Sequence, residues 1–78
     1  MKFVQIKDEF INLNNVSLIV ADEDKVSVCF YRDGWRTYNY TGRSKKAIKR
    51  AVRDVLEDTT DDDVLNLGNL IKYHEENQ

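Results

Sequence analysis

The chain has 78 residues, a net charge of −2, a single cysteine and no proline. A chain of this length builds one small core, so residues 1–78 are treated as a single domain. A lone cysteine, Cys29, excludes an internal disulfide. The longest uncharged stretch, Phe10 to Ala21, is too short for a helix that crosses a bilayer. Charge also interrupts the first eight residues too early for a signal peptide, so we expect a cytoplasmic protein with no membrane partner.

The charges are sorted along the chain. Residues 43–56 contain six basic residues and one acid, a local charge of +5, whereas residues 57–78 contain seven acids and one lysine, a local charge of −6. The first 42 residues are nearly balanced at −1. Sorting of this kind indicates a charged partner or self-pairing, without naming the partner.

Residues 1–42 are predicted to form the β-sheet half of the domain, an antiparallel meander of four or five strands. Phe3–Lys7 and Glu9–Leu13 are predicted to be one or two short strands, and Asn14–Asn15 predicts the turn that follows them. Val16–Asp22 is the next predicted strand. Its two alternating sets of side chains are both fairly apolar, so we expect this strand to be central in the sheet and covered on both faces.

The strongest predicted strand pair is a hairpin of Lys25–Arg32 with Trp35–Thr41. It follows the acidic turn Glu23–Asp24 and carries Asp33–Gly34 between its strands, a strong short-range hairpin signal. With this hairpin the meander is complete.

The length of the hairpin loop decides which side chains share a face. A two-residue turn separates the large apolar side chains, whereas a three-residue loop, Arg32–Gly34, with Gly34 in the left-handed conformation, gathers them on one side. We prefer the three-residue loop, which places Tyr31 directly opposite Trp35. The side chains expected on the helix-facing side are Val26, Val28, Phe30, Tyr38 and Tyr40.

Residues 43–78 are predicted to be the helical half, and the first helix covers residues 44–57. Ser44 is a suitable N-cap for it. Four apolar residues recur at helical spacing within an arc of about 100°, the width of a core-facing stripe. These four residues are Ile48, Ala51, Val52 and Val55.

A second helix is predicted to begin near Thr60 or Asp61, because aspartates at 61–63 suit the positive end of a helix dipole. Its predicted apolar face consists of Val64, Leu67 and Ile71. A short strand from Val64 to Leu67 is the alternative. A sheet followed by helices indicates the α+β class.

The hairpin face turned away from the first helix is unusually apolar for a solvent-facing surface. Tyr31 and Trp35 are expected to form an aromatic pair there, with Thr37 and Ile19 beside them. Such patches often mark protein interfaces, in which tryptophan and tyrosine are frequent anchors. We therefore expect Ile19, Tyr31, Trp35 and Thr37 to bind an unidentified protein partner or a second copy in a homodimer. The alternatives are that another element covers this face, or that its aromatic residues stack unpaired bases.

The basic side of the first helix is the other predicted binding surface. Its cations are Arg43, Lys45, Lys46, Lys49, Arg50 and Arg53. Free N–H groups at the helix start, beside these cations, suit a phosphate or a nucleic-acid backbone. The other interpretation is a solvated face that the acidic end of the chain partly neutralises. The sequence pI of about 5.3 weighs against nucleic acid.

No residue pattern indicates catalysis, a metal site or a cofactor. His74, the single histidine, is expected to be frayed and exposed near the C-terminus. The acids between Glu57 and Asp63 lack the alternating ligands and closing glutamate of a calcium loop, so we expect a capped, solvated acidic turn there. The sequence therefore predicts a non-enzymatic interaction or regulatory module.

Overall fold

The computed structural model describes residues 2–57 and 63–77. Within these residues the chain folds into six β-strands and two α-helices. The strands are β1 (Phe3–Ile6), β2 (Glu9–Asn12), β3 (Val16–Asp22), β4 (Lys25–Phe30), β5 (Gly34–Asn39) and β6 (Val64–Asn66), and the helices are α1 (Lys45–Leu56) and α2 (Leu67–Glu76). A strand-rich first half and a helical second half confirm the predicted α+β class.

The strands of the described residues divide into two sheets. β3, β4 and β5 form an antiparallel sheet in that order, which we call the meander sheet. In the other sheet, of order β2-β1-β6, β1 is antiparallel to β2 and parallel to β6. The division falls at a 3-10 turn, Leu13–Asn15, where the Asn12 side chain accepts a hydrogen bond from the Asn14 N–H at 2.9 Å. Because this turn leads the chain out of the first sheet, the meander keeps three of the predicted strands.

β3 lies at an edge of the meander sheet, so the prediction of a central, doubly covered strand is wrong. The turn Glu23–Asp24 has two residues and pairs Asp22 with Lys25, which places Ile19 opposite Val28. Ile19 is therefore on the core-facing side and only 6% exposed. The predicted position of Ile19 on the open face is wrong, because a two-residue turn aligns odd positions of β3 with even positions of β4.

The β4–β5 hairpin confirms the predicted faces. Val26 lies opposite Tyr38, and both side chains are buried. The loop has three residues, as predicted, but it consists of Tyr31–Asp33 because Phe30 pairs with Gly34. Gly34 has φ +76°, in the predicted left-handed region, where a residue without Cβ is favoured.

The pairing of the aromatic residues in this hairpin differs from the prediction by two positions. Trp35 lies opposite Cys29 and not opposite Tyr31. The Tyr31 N–H leaves the β4–β5 ladder and donates to the Asn15 carbonyl at 3.0 Å. A shift of two residues preserves the faces, because side chains alternate with a period of two.

α1 matches its prediction. Ser44 is the N-cap, and its hydroxyl accepts a hydrogen bond from the Ala47 N–H at 3.2 Å. The four residues of the predicted stripe are all buried, together with Ala47. The stripe turns toward the meander sheet, since α1 packs against β3.

The prediction of a second helix over Val64 is wrong, because Val64–Asn66 is strand β6. The second helix was expected to begin at Thr60 or Asp61, and these residues and Asp62 lie outside the described residues. The Phe3 N–H donates to the Asp63 carbonyl at 2.8 Å and thereby extends the pairing of β1 with β6. The alternative strand is thus confirmed, and it ends one residue earlier than predicted.

α2 begins directly after β6. Asn66 is its N-cap and accepts a hydrogen bond from the Asn69 N–H at 3.0 Å. Gly68 falls in the first turn of α2. Leu67 and Ile71 of the predicted apolar face are buried.

The core lies where the helices meet the sheets. α1 packs on β3, α2 packs on β1, and the two helices pack on each other. The buried apolar side chains of both sheets and both helices belong to a common cluster. Each sheet therefore has a second face that is turned to solvent. In the described part of the chain, no helix combines the length and apolar character needed to cross a bilayer.

Candidate functional site

The solvent-facing side of the meander sheet is built from three rows of side chains, and we call it the open face. The register of β3, β4 and β5 sets these rows. They are Leu18–Cys29–Trp35, Val20–Ser27–Thr37 and Asp22–Lys25–Asn39. The first row is apolar, the second is mixed and the third is polar, so the face has an apolar end near the β4–β5 loop.

The apolar end of the open face is well exposed. Trp35 is 57% exposed and Leu18 is 49% exposed. In the mixed row the Ser27 and Thr37 hydroxyl oxygens lie 3.1 Å apart and share a hydrogen bond. That hydrogen bond satisfies both hydroxyls within the sheet, which lowers the cost of covering them with a partner.

The open face contains some of the predicted interface residues and lacks others. Trp35 and Thr37 lie on it, whereas Ile19 is buried on the other side. Leu18 and Val20, which were not among the predicted interface residues, occupy the positions expected for Ile19. The two-residue length of the Glu23–Asp24 turn is the sequence signal that identifies them. The length of this turn decides which side chains of β3 share a face with which side chains of β4.

Tyr31 lies at the junction of the two sheets. Its side chain is 72% exposed. It lines a cleft of about 670 Å³ together with Phe10 of β2, a residue for which no role was predicted. The cleft separates the β4–β5 loop from β2. Tyr31 therefore belongs to the rim of this cleft, and the predicted cross-strand pair with Trp35 is not formed.

The cleft also contains contacts that join the two sheets. The Arg36 guanidinium donates to Glu9 Oε1 at 2.7 Å, and the Tyr38 hydroxyl donates to Glu9 Oε2. Burial raises the pKa of Tyr38, and the hydrogen bond to Glu9 raises it further. Arg36 also lies over the Phe30 ring, 5.4 Å from its centroid. These contacts join β2 to β5 and β5 to β4, and they engage Arg36 within the molecule.

The predicted anion site at the start of α1 is occupied by a carboxylate of the chain itself. The Arg43 guanidinium donates to Glu75 Oε1 at 2.6 Å through Nη2 and to both carboxylate oxygens at 3.0 Å through Nε. The Ser44 N–H donates to Glu75 Oε2 at 2.9 Å. These hydrogen bonds, from Arg43 first and Ser44 second, hold the pKa of Glu75 below its ordinary value of 4.5. Glu75 of α2 thus takes the place that we predicted for a phosphate.

Glu75→Gln is expected to lower the stability of the protein at neutral pH and to have less effect in acid. A carboxyl whose pKa is lowered by folding stabilises the fold above its unfolded pKa of 4.5. That contribution is lost as the pH falls through the lower pKa of the folded state. Urea unfolding of wild type and variant at about pH 7 and about pH 3 measures the difference. Glu76→Gln, an exposed neighbour, is the matched control, and a gap that stays constant with pH would contradict the assignment.

The other cations of the basic side differ in their surroundings. Lys45 Nζ lies 3.8 Å from Glu23 Oε2, and both side chains are exposed. Four cations of α1 form no ion pair within residues 2–57 and 63–77. These are Lys46, Lys49, Arg50 and Arg53. The predicted basic surface is therefore reduced to these four side chains.

His74 is held in the structure, so the expectation of a frayed and exposed histidine is wrong. Its side chain is 17% exposed, and Nε2 lies 2.5 Å from Asp54 Oδ2 of α1. With the Glu75 contacts this pair fastens the last turn of α2 to α1. Among the described residues, no group of three or more histidine, cysteine or acidic side chains is arranged to hold a metal ion.

Comparisons with protein-family models, with curated proteins and with solved structures find no match for this chain. The functional assignment below therefore depends on the surfaces of the molecule itself.

Proposed function

We propose that this protein is a non-enzymatic interaction module that self-associates through its open face. The exposed row of Leu18, Cys29 and Trp35 carries the proposal, because an exposed tryptophan beside aliphatic side chains is the usual composition of an interface anchor. Val20 extends this apolar end toward the mixed row.

The charge distribution favours a second copy as the partner of the open face. The charged residues of its rows are Asp22 and Lys25, which lie opposite each other across β3 and β4. Two open faces can therefore meet without repulsion between like charges. The basic side of α1 lies beneath the other side of the sheet, away from such a contact.

The size of the open face limits the affinity. The open face is three strands wide, and each strand is about six residues long, so the face covers roughly 300 Å². Stable interfaces bury about 800 Å² on each partner. We therefore expect a weak, concentration-dependent dimer, consistent with a regulatory role in which association is reversible.

Trp35→Ala is expected to abolish self-association, because it removes the largest exposed side chain of the apolar row. Size-exclusion chromatography with light scattering from about 1 µM to about 1 mM protein measures the mass across the relevant range. Tyr73→Ala removes an exposed aromatic side chain from α2 and is the matched control. Wild type that stays monomeric over the whole range, or equal loss of association in both variants, would overturn the proposed function.

Nucleic-acid binding, the other candidate, has less support. Phosphate binding at the start of α1 requires Arg43 and the free N–H groups of the first turn, and Glu75 already engages that guanidinium and the Ser44 N–H. Lys45 lies near Glu23, which further reduces the positive potential at that end. The remaining four cations support at most a weak, salt-sensitive contact.

A further inference from the structure

A shallow groove runs along the edge of the meander sheet, between β3 and α1, and we call it the edge groove. It consists of two adjoining depressions of about 350 Å³ and about 170 Å³ that share Ile19 and Leu56. The apolar residues that line it are Leu18, Ile19, Val20, Val52, Val55 and Leu56. Leu56 is 59% exposed, although it ends the core-facing helix, so the groove presents an uncovered apolar surface.

The strand beside the groove offers free backbone groups. β3 has no strand on its outer side among the described residues, so alternate N–H and C=O groups along it point outward. From Leu18 to Ala21 it carries no charge and no proline and pairs regularly with β4, and the irregularity in its pairing, between Val16 and Leu18, is confined to its start. By contrast, β5 carries Arg36 near its middle, β2 has four residues and begins with Glu9, and β6 has only three residues. Among the described strands, β3 is thus the edge best suited to accept another strand.

The other wall of the groove is cationic. Lys49 and Arg53 of α1 line the larger depression and form no ion pair with any described residue. Glu57, at the end of α1, also lines it, so the lining residues that the structure describes carry an excess of one positive charge. An acidic partner therefore gains two new pairings beside Lys49 and Arg53, whereas a basic partner gains one beside Glu57.

The cations of α1 lie along the length of β3, because the helix and the strand run side by side. Glu23 and Ala21, at the end of β3, lie near Lys45 and Lys49, whereas Leu13 and Val16 lie near Val55. α1 therefore runs along β3 in the opposite direction.

The spacing of the cations also fits an extended chain. Lys49 and Arg53 are one helical turn apart, about 6 Å along the axis. In an extended chain, side chains on the same face recur every 7 Å or so, a close match.

We propose that the edge groove binds an extended acidic segment of a partner protein, which adds to β3 as a further antiparallel or parallel strand. Two acidic residues on alternate positions of this segment pair with Lys49 and Arg53. The intervening residues of the segment lie on the other side of the added strand, beside Leu18 and Val20, where β-branched side chains suit a strand. This binding mode goes beyond self-association, because it uses the edge of the sheet and leaves Trp35 uncovered.

A second copy fits the edge groove less well. Antiparallel pairing of β3 with β3 of another copy brings the two α1 helices to the same side of the joined sheet. Lys49 and Arg53 of one copy then approach the same residues of the other, which is unfavourable for like charges. Charge complementarity therefore favours an acidic partner at this edge.

The test uses an eight-residue peptide in which glutamate alternates with valine, labelled for fluorescence anisotropy. We expect it to bind with a dissociation constant below about 1 mM at low salt. A peptide with lysine in place of glutamate is expected to bind at least about tenfold more weakly. Amide hydrogen exchange followed by NMR is expected to slow at alternate residues of β3 when the acidic peptide is added.

Matched double variants test whether Lys49 and Arg53, and not the other cations of α1, pair with the acidic peptide. K49A/R53A is expected to weaken binding about tenfold, because it removes two ion pairs from the contact. K46A/R50A removes the same charge from the same helix and is expected to change binding less than about twofold. Trp35→Ala is expected to lose self-association and to keep the peptide affinity, so the two proposals fail independently.

Several results would overturn the proposal. One is equal weakening by both double variants, which would indicate a diffuse charge effect. Another is peptide binding without slower exchange in β3. A third is slower exchange in β3 at rising protein concentration without peptide, which would assign the edge to a second copy. Binding of a single-stranded oligonucleotide that needs all four unpaired cations, with no binding of the acidic peptide, would instead favour nucleic acid.

Discussion

Ile19→Asp is expected to unfold the protein, whereas Leu18→Asp, one residue earlier, is expected to leave it folded. Ile19 is buried beneath α1, so aspartate there loses apolar packing and takes a carboxylate out of water, with only the surface cations Lys49 and Arg53 of the edge groove near it. The lost packing and the desolvated carboxylate together cost about 4–5 kcal/mol or more. A domain of this length has a total stability of roughly 4–12 kcal/mol, so the loss is decisive. Leu18 faces solvent, and aspartate there costs about 1 kcal/mol through its poor strand propensity.

Circular dichroism and urea unfolding of both variants measure this contrast. Leu18→Asp is also expected to abolish self-association, because it places a charge in the apolar row of the open face. The opposite order of stability, with Leu18→Asp unfolded and Ile19→Asp folded, would mean that β3 pairs with β4 one residue out of register. It would also transfer the open face to the other set of β3 side chains.

Ile71→Ala is expected to lower the free energy of unfolding by about 2–5 kcal/mol. Ile71 is fully buried on α2, and truncation of a buried isoleucine removes apolar contact and leaves a cavity. A loss of that size lowers the melting temperature of a domain this small by at least about 8 °C. The loss is a large part of the total stability, because α2 covers β1 and packs on α1 with only two buried residues, Leu67 and Ile71.

Thermal and urea unfolding measure the effect of Ile71→Ala. Lys72→Ala changes the next, exposed residue of the same helix and is expected to alter stability by less than about 0.5 kcal/mol. A similar small effect at both positions would show that the α2 interface is not tightly packed. A changed slope of the unfolding free energy against urea concentration would instead indicate that α2 detaches before the rest of the domain unfolds.

The sequence predicts α1 and the faces of the hairpin well, because both depend on local periodicity. The stripe from Ile48 to Val55 and the N-cap at Ser44 are properties of one segment and need no knowledge of its neighbours. The faces of β4 and β5 follow from the alternation of large apolar residues, which survives an error of two positions in the pairing.

The features that the prediction missed depend on contacts between distant segments or on the length of a turn. β6 is a strand because β1 is available to pair with it, and nothing within Val64–Asn66 identifies that partner. The occupation of the α1 start by Glu75 likewise joins residues from opposite ends of the helical half. The error at Ile19 is different in kind, because the two-residue turn at Glu23–Asp24 was sufficient to correct it.

The pairing of β1 with β6 has a consequence for the order in which the chain folds as it is made. Strand β1 obtains its second neighbour only after about 60 further residues have been synthesised, because Phe3 pairs with Val64. Until then β1 and β2 form a lone hairpin, which is marginal in water. The meander sheet and α1 bury part of their shared apolar surface before α2 adds its contact with α1, so they are the natural first unit of assembly, and the first sheet closes on them last.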